Sequence, residues 1–197
     1  VDSLASFLIA ALALAGSPGP NTLSVAATGA AFGRAKGFRY MLGVNLGMAI
    51  VIAMVGSGVT GFVLTIPGAA PVITGLAALY FLYLAYRIAT SPPLTANAKP
   101  GAEPKWFEGV LLSLVNPKGY AAMAAMFSTF TLLHSNAVAD GALKYCLLLT
   151  VIVVVNLCWL CAGVGMTKLM QDPRSSRTLN LVFAFALILS IILTVLL

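Results

Sequence analysis

The sequence predicts an all-α polytopic membrane protein: six transmembrane helices arranged as two inverted three-helix repeats, with helices 1 and 4 broken at proline motifs. Three observations lead there. The chain is 60% hydrophobic and only 8% charged, with a mean hydropathy of +1.02. A soluble domain carries about three times that share of charge. The apolar residues fall in continuous runs long enough to cross a hydrocarbon core of about 30 Å, whereas a membrane barrel shows alternating segments of about ten residues. Finally, two of those runs are each interrupted by a proline beside an asparagine.

The runs lie at 4–32, 40–64, 69–89, 106–133, 143–167 and 178–197. Each is predicted helical, because lipid offers no partners to an unsatisfied backbone. Leu4–Ala15 followed by small residues has the outline of a signal peptide but lacks its positive start, so it is read as the first half of a retained span. The basic residues orient the spans. Arg34, Lys36 and Arg39 fall in the first loop, Arg87, Lys99 and Lys105 in the third, and Lys168, Arg174 and Arg177 in the fifth. The second loop has none, and the fourth has Lys144 beside Asp140. By the positive-inside rule the first, third and fifth loops are cytoplasmic and both termini face outward. The whole chain, 1–197, is one transporter-like domain: repeat one over 1–89, a cytoplasmic Pro- and Ala-rich linker over 90–105, and repeat two over 106–197. Three spans per half is an odd number, so the halves have opposite orientation. Placing Pro18 over Pro117 aligns the two breaks.

Those breaks carry the chemistry. The first is Ser17-Pro18-Gly19-Pro20-Asn21 and the second is Asn116-Pro117-Lys118. Proline deletes an N–H and clashes with the preceding turn, so a break inside a membrane is tolerated where it lines a cavity, and matched breaks in two halves point to a transporter's binding site. A helix restarting within the membrane presents a partial positive charge at its start. Asn116 suits an N-cap and Pro117 a first helical position; Ser17 and Asn21 are candidates for the same capping role at the first break. With the Lys118 ammonium, two such starts make a site for a carboxylate, and carbonyls released by the breaks accept from an ammonium. A small zwitterion fits the combination. The competing readings are simple proline kinks and a Lys118 that snorkels to an interface.

Asn45, between Gly43 and Gly47, and Asn156, three residues from Trp159, are further candidates for substrate contact; hydrogen bonding between helices is their alternative. Tyr120 follows the second break closely enough to face the same cavity, whereas Tyr80, Tyr83 and Tyr86 read as an interfacial or packing stripe. Gly43 and Gly47 read as close packing within the chain before a dimer face. Cys146, Cys158 and Cys161 share one run and read as packing residues; with His134 the only histidine, no metal set forms and no cofactor is expected. The net charge of +6 sits in short loops rather than in a nucleic-acid footprint.

At these residues the chain resembles the LysE/RhtB family of amino-acid exporters. The resemblance covers essentially its whole length, through the Ser17–Asn21 run, the Gly43 and Gly47 pair and the Asn116–Lys118 run, in order and spacing. The stretches 82–92 and 156–163 look most similar to the cysteine/O-acetylserine exporter branch. The resemblance implies a secondary exporter of small neutral amino acids or derivatives in the bacterial inner membrane, proton-coupled, with Ser17, Pro18, Gly19, Pro20, Asn21, Asn116, Pro117 and Lys118 at its motif positions. Threonine-type members carry an aspartate just after the second glycine of span two, where this chain has Met48. Coupling then falls to Lys118, to a span-end carboxylate (Asp2 or Glu108) or to the substrate itself.

Expected partners are the amino acid, protons and the bilayer, with a homodimer left open. A channel-like pore is the alternative function, and an enzyme is excluded by the lack of a nucleophile–base pair or metal ligands within the spans. The basic asymmetry predicts that a reporter fused after Leu197 reads out on the extracytoplasmic side. A cytoplasmic readout would overturn both the orientation and the inverted repeat.

Overall fold

The computed structural model describes residues 4–90, 103–166 and 172–196. Asp2, most of the proposed linker with Lys99, and Lys168 lie outside the described residues. Within them the fold is helical: α1 (Leu4–Gly16), α2 (Pro20–Gly56), α3 (Val59–Leu64), α4 (Ala69–Ala89), α5 (Trp106–Val115), α6 (Pro117–Thr129), α7 (Ala137–Gly165) and α8 (Pro173–Leu196). By length and composition α2 and α7 can each cross a membrane, and α5 with α6 forms a third candidate, bent by 60° at its break.

The first expected loop is compressed into one residue. α2 turns at Gly33, with φ 79° and ψ 179°, a region open essentially to glycine alone. The two arms, 20–32 and 34–56, fold back so closely that a Cβ on Gly37 would lie 3.0 Å from Gly29 Cα. Arg34, Lys36 and Arg39 therefore sit on the helical start of the second arm, not in a loop. Span two is interrupted near its end: α2 stops at Gly56, and Gly58, with φ 79°, separates it from α3.

The fourth loop is corrected as well. α7 begins at Ala137, capped by the Asn136 side chain, which accepts from Val138 N and Ala139 N at 3.0 and 3.1 Å. Asp140 and Lys144 are therefore buried helical neighbours, paired at 2.7 Å, rather than loop charges. Asp140 accepts from the Leu132 and Leu133 N–H groups, and the Lys144 ammonium donates to the Phe130 carbonyl at 2.8 Å. The pair satisfies the backbone where α6 ends, which is why two charges persist at a buried position.

Backbones approach where side chains are missing. A Cβ on Gly43 would strike the Trp106 carbonyl oxygen, one on Gly109 would meet the Tyr40 carbonyl oxygen at 2.7 Å, and one on Gly163 would strike the Ala26 carbonyl oxygen. Gly43 and Gly47 thus pack inside the chain, seaming α2 to α5. Two apolar cores flank the middle of the bundle. One includes Leu23, Val44, Leu112 and Leu160; the other includes Ala11, Met48, Met123 and Val155. Between them the sequence turns polar at Asn45 of α2, at Asn116 between α5 and α6, and at Asn156 of α7. Gly43→Ala is expected to lower the melting temperature of the detergent-purified protein by the equivalent of about 1–3 kcal/mol of overpacking, whereas Gly61→Ala, with open space around it, is expected to be neutral.

Candidate functional site

The polar layer is built by the two breaks. At the second, Asn116 adopts extended φ/ψ and caps α6, its Oδ1 accepting from Lys118 N at 3.2 Å, with Pro117 in the first helical position. At the first, α1 ends at Gly16 and α2 restarts at Pro20 with Gly19 as its N-cap. Neither Ser17 nor Asn21 caps the restart: Ser17 Oγ donates backward to the Leu14 carbonyl at 2.8 Å, and the Gly19 N–H is taken by Thr22 Oγ1 at 3.0 Å. Pro20 and Pro117 each stand at the first helical position of the helix that restarts, whereas Pro18 lies in the link before the first restart.

The breaks are tied to each other. The Lys118 ammonium donates to Ser17 Oγ at 2.8 Å, to the Ser17 carbonyl at 3.1 Å and to the Pro18 carbonyl at 2.8 Å. It thereby caps the negative end of α1, a favourable place for a cation. Asn116 Nδ2 donates to Asn21 Oδ1 at 3.0 Å, Asn21 Nδ2 donates to Ser113 Oγ at 3.1 Å, and Ser113 Oγ donates on to the Val44 carbonyl at 2.9 Å. A second link joins Asn156 Nδ2 to Asn45 Oδ1 at 2.6 Å, between α7 and α2. Trp159 Nε1 reaches the Gly16 carbonyl at 3.4 Å.

These groups surround a cavity of about 60 Å³, lined among others by Ser17, Gly19, Asn21, Asn116, Lys118 and Asn156. Asn45 stands behind Asn156 as its acceptor. Tyr120 packs against the apolar core around Met123 and Ile152. Pro18, Pro20 and Pro117 shape the breaks and present no polar atom of their own beyond the backbone. Thr22, Met48 and Gly119 also line the cavity; Met48 is one turn from Asn45, a spacing that could have flagged it, whereas Thr22, next to Asn21, had no such signal. Ser113, the hub between the two breaks, was hidden in sequence as an isolated serine in an apolar run. A side chain at Gly19 would fall 2.9 Å from Lys118 Nζ, so glycine there leaves room for the ammonium. Among the described residues no cluster of His, Cys, Asp or Glu could hold a metal, and the three cysteines are exposed.

The chemistry on offer is one ammonium, two helix starts, and amides and carbonyls already engaged with each other. The N–H groups of Lys118 and Gly119 are taken up by Asn116, so α6 contributes its dipole rather than open donors. An incoming carboxylate would have to compete with the Ser17 and Pro18 carbonyls for Lys118. Asn21→Ala and Asn116→Ala should each destabilise the purified protein, the latter by about 1 kcal/mol for the cap alone. Because their side chains bond to each other, the double variant should fall short of additivity by about 0.5–3 kcal/mol. Strict additivity in thermal unfolding would mean the breaks are not coupled through this pair.

Comparison with known proteins finds similarity over nearly the full chain. The family model described as LysE type translocator matches residues 12–196. The cysteine/O-acetylserine efflux protein of Salmonella typhimurium (strain LT2) is 28% identical over 186 residues, covering 94% of this chain and 93% of the relative. That of Escherichia coli (strain K12) is 28% identical over 187 residues, with the same coverage of 94% and 93%. The leucine efflux protein of Enterobacter sp. (strain 638) is 34% identical over 118 residues, 57% of this chain and 56% of the relative. No solved structure matches the chain.

Proposed function

Because this chain belongs to the LysE type translocator family, we propose that it is a secondary active exporter of small neutral amino acids or their derivatives, in the range named by its cysteine/O-acetylserine and leucine efflux relatives. The observation that carries the reading is the convergence of two helix breaks on one cavity, with Lys118 reaching from one break to the other. Simple kinks would not need to be tied together.

In this reading the substrate zwitterion lies between the two helix starts. Its carboxylate takes Lys118 from the Ser17 and Pro18 carbonyls, and its ammonium takes the carbonyls so released. That exchange loosens the end of α1 from α6, so binding itself frees the first break to move. The six spans are α1 with the first arm of α2, the second arm of α2 with α3, then α4, α5 with α6, α7 and α8, as two inverted repeats in a bacterial inner membrane with both termini periplasmic. The orientation is supported by the basic residues gathering at one end of the bundle. Lys36 pairs with Glu103 and Arg87 with Glu108, each at 2.8 Å. Coupling to protons is assigned to Lys118, since Glu108 is engaged by Arg87 and Asp140 by Lys144.

Counterflow in proteoliposomes tests the class. Labelled O-acetyl-L-serine, cysteine, leucine, threonine or homoserine should accumulate transiently against an unlabelled internal pool, as only a carrier allows. Equilibration without that overshoot would favour a channel-like pore. Asn116→Ala, which removes the α6 cap and the link to Asn21, should weaken apparent affinity roughly five-fold, the equivalent of about 1 kcal/mol of lost preorganisation. Lys118→Met should abolish substrate-driven proton flux; unchanged flux would remove the lysine as the proton carrier.

A further inference from the structure

A second cavity, of about 180 Å³, opens at the end of the bundle where Arg87 and Glu108 pair. It is three times the volume of the one at the breaks. At roughly 10–15 Å³ for each water-sized volume, it has room for a small amino acid, which the cavity at the breaks does not offer in this conformation. Its polar lining comes from Ser24, Thr28, Tyr40, Arg87, Thr90 and Asn180.

Three features mark it as more than a packing fault. Tyr40 is 1% exposed and lines the cavity, and its hydroxyl, with Ser24 as its side-chain neighbour, has no partner at good hydrogen-bond geometry; a buried polar group left so calls for a ligand or water. Ser24 and Thr28 spend their protons down their own helix, Ser24 Oγ on the Asn21 carbonyl at 2.9 Å and Thr28 Oγ1 on the Ser24 carbonyl at 2.7 Å. Their oxygens therefore face the cavity as acceptors. Last, Asn21, Ser24 and Thr28 stand three and four residues apart on one face of α2, and Asn21 lines the cavity at the breaks. One polar stripe thus connects the two cavities.

We propose that this second cavity is a loading site for the exported amino acid, with its carboxylate received by the Tyr40 hydroxyl on the Arg87 side and its ammonium by the Ser24 and Thr28 oxygens, before it passes along the α2 stripe to the breaks. The inference rests on the exporter reading and adds a second binding position to it. Arg87 is already paired with Glu108, so the rim pair is close to neutral and Tyr40 supplies the direct donor. Binding at the two positions in turn would hand the carboxylate from Tyr40 to Lys118, and the ammonium from hydroxyl oxygens to the carbonyls of Ser17 and Pro18.

Equilibrium binding of labelled O-acetyl-L-serine to the purified full chain, with transport in proteoliposomes, provides the test. Wild type is expected to bind two molecules per chain. Tyr40→Phe and Thr28→Val should each weaken one of the two by about three- to ten-fold, the weight of one neutral hydrogen bond, and raise the transport KM by a similar factor. Ala27→Leu fills the same cavity without removing a polar group, and should leave one molecule bound per chain, at a site still sensitive to Asn116→Ala. That residual binding also shows that the variant is folded. A wild-type stoichiometry of one with counterflow intact overturns the loading site alone, as does unchanged binding and KM in Tyr40→Phe and Ala27→Leu. Failure of wild type to exchange any amino acid of the panel would instead overturn the exporter reading.

Discussion

The Lys118 ammonium, held by the last carbonyls of the first break, is the contact on which the centre of this structure depends. A helix that stops inside a membrane leaves carbonyls without partners, and lipid supplies none. A lysine brought into a membrane needs acceptors just as urgently. Each problem answers the other here: Ser17 and Pro18 offer oxygens, and Lys118 offers three N–H donors to them. The two halves of the chain are thereby tied to each other at one place.

The rest of the polar layer extends that commitment sideways. Asn116 and Asn21 bond across the breaks, Ser113 passes the chain to the Val44 carbonyl on the second arm of α2, and Asn156 with Asn45 ties α7 to the same arm. Above and below lie two apolar cores whose members change over at this layer. Glycines at 43, 109 and 163 bring the backbones near enough for side chains as short as serine and asparagine to reach across. A larger residue at any of these seams would separate the groups that must meet. Close packing and polar linkage are thus one requirement: in lipid there is no hydrophobic drive to hold helices together, and van der Waals contact with interhelical hydrogen bonds takes its place.

Such a layer suits a carrier because its bonds are exchangeable. A zwitterionic amino acid presents a carboxylate and an ammonium, which in the proposed exporter reading accept from Lys118 and donate to the Ser17 and Pro18 carbonyls in place of the bond these groups make to each other. Where charges serve only to close a helix end, they are arranged differently. Asp140 and Lys144 are one turn apart on a single helix and bind neighbouring backbone, far in sequence from the breaks.

The sequence by itself determined the helical membrane class, both breaks, the Asn116 cap with Pro117 behind it, and the family, because these are local or compositional: proline and asparagine act on their own turn, and apolar length is counted along the chain. It did not locate the turn at Gly33, since arginines and a lysine after a glycine look like a loop until Gly29 and Gly37 are seen back to back. It misplaced Asp140 and Lys144, because a helix start set by Asn136 was masked by the polar stretch around it. Nor could it foresee that Lys118 serves α1, that Ser113 joins the breaks, or that Tyr40 faces a cavity with Thr28. Those depend on residues brought together from opposite halves of the chain, and one-dimensional spacing carries no information about which face of one helix meets which face of another. Only the tertiary structure decided them, through the glycine seams that fix how closely, and at what register, α2, α5 and α7 can approach.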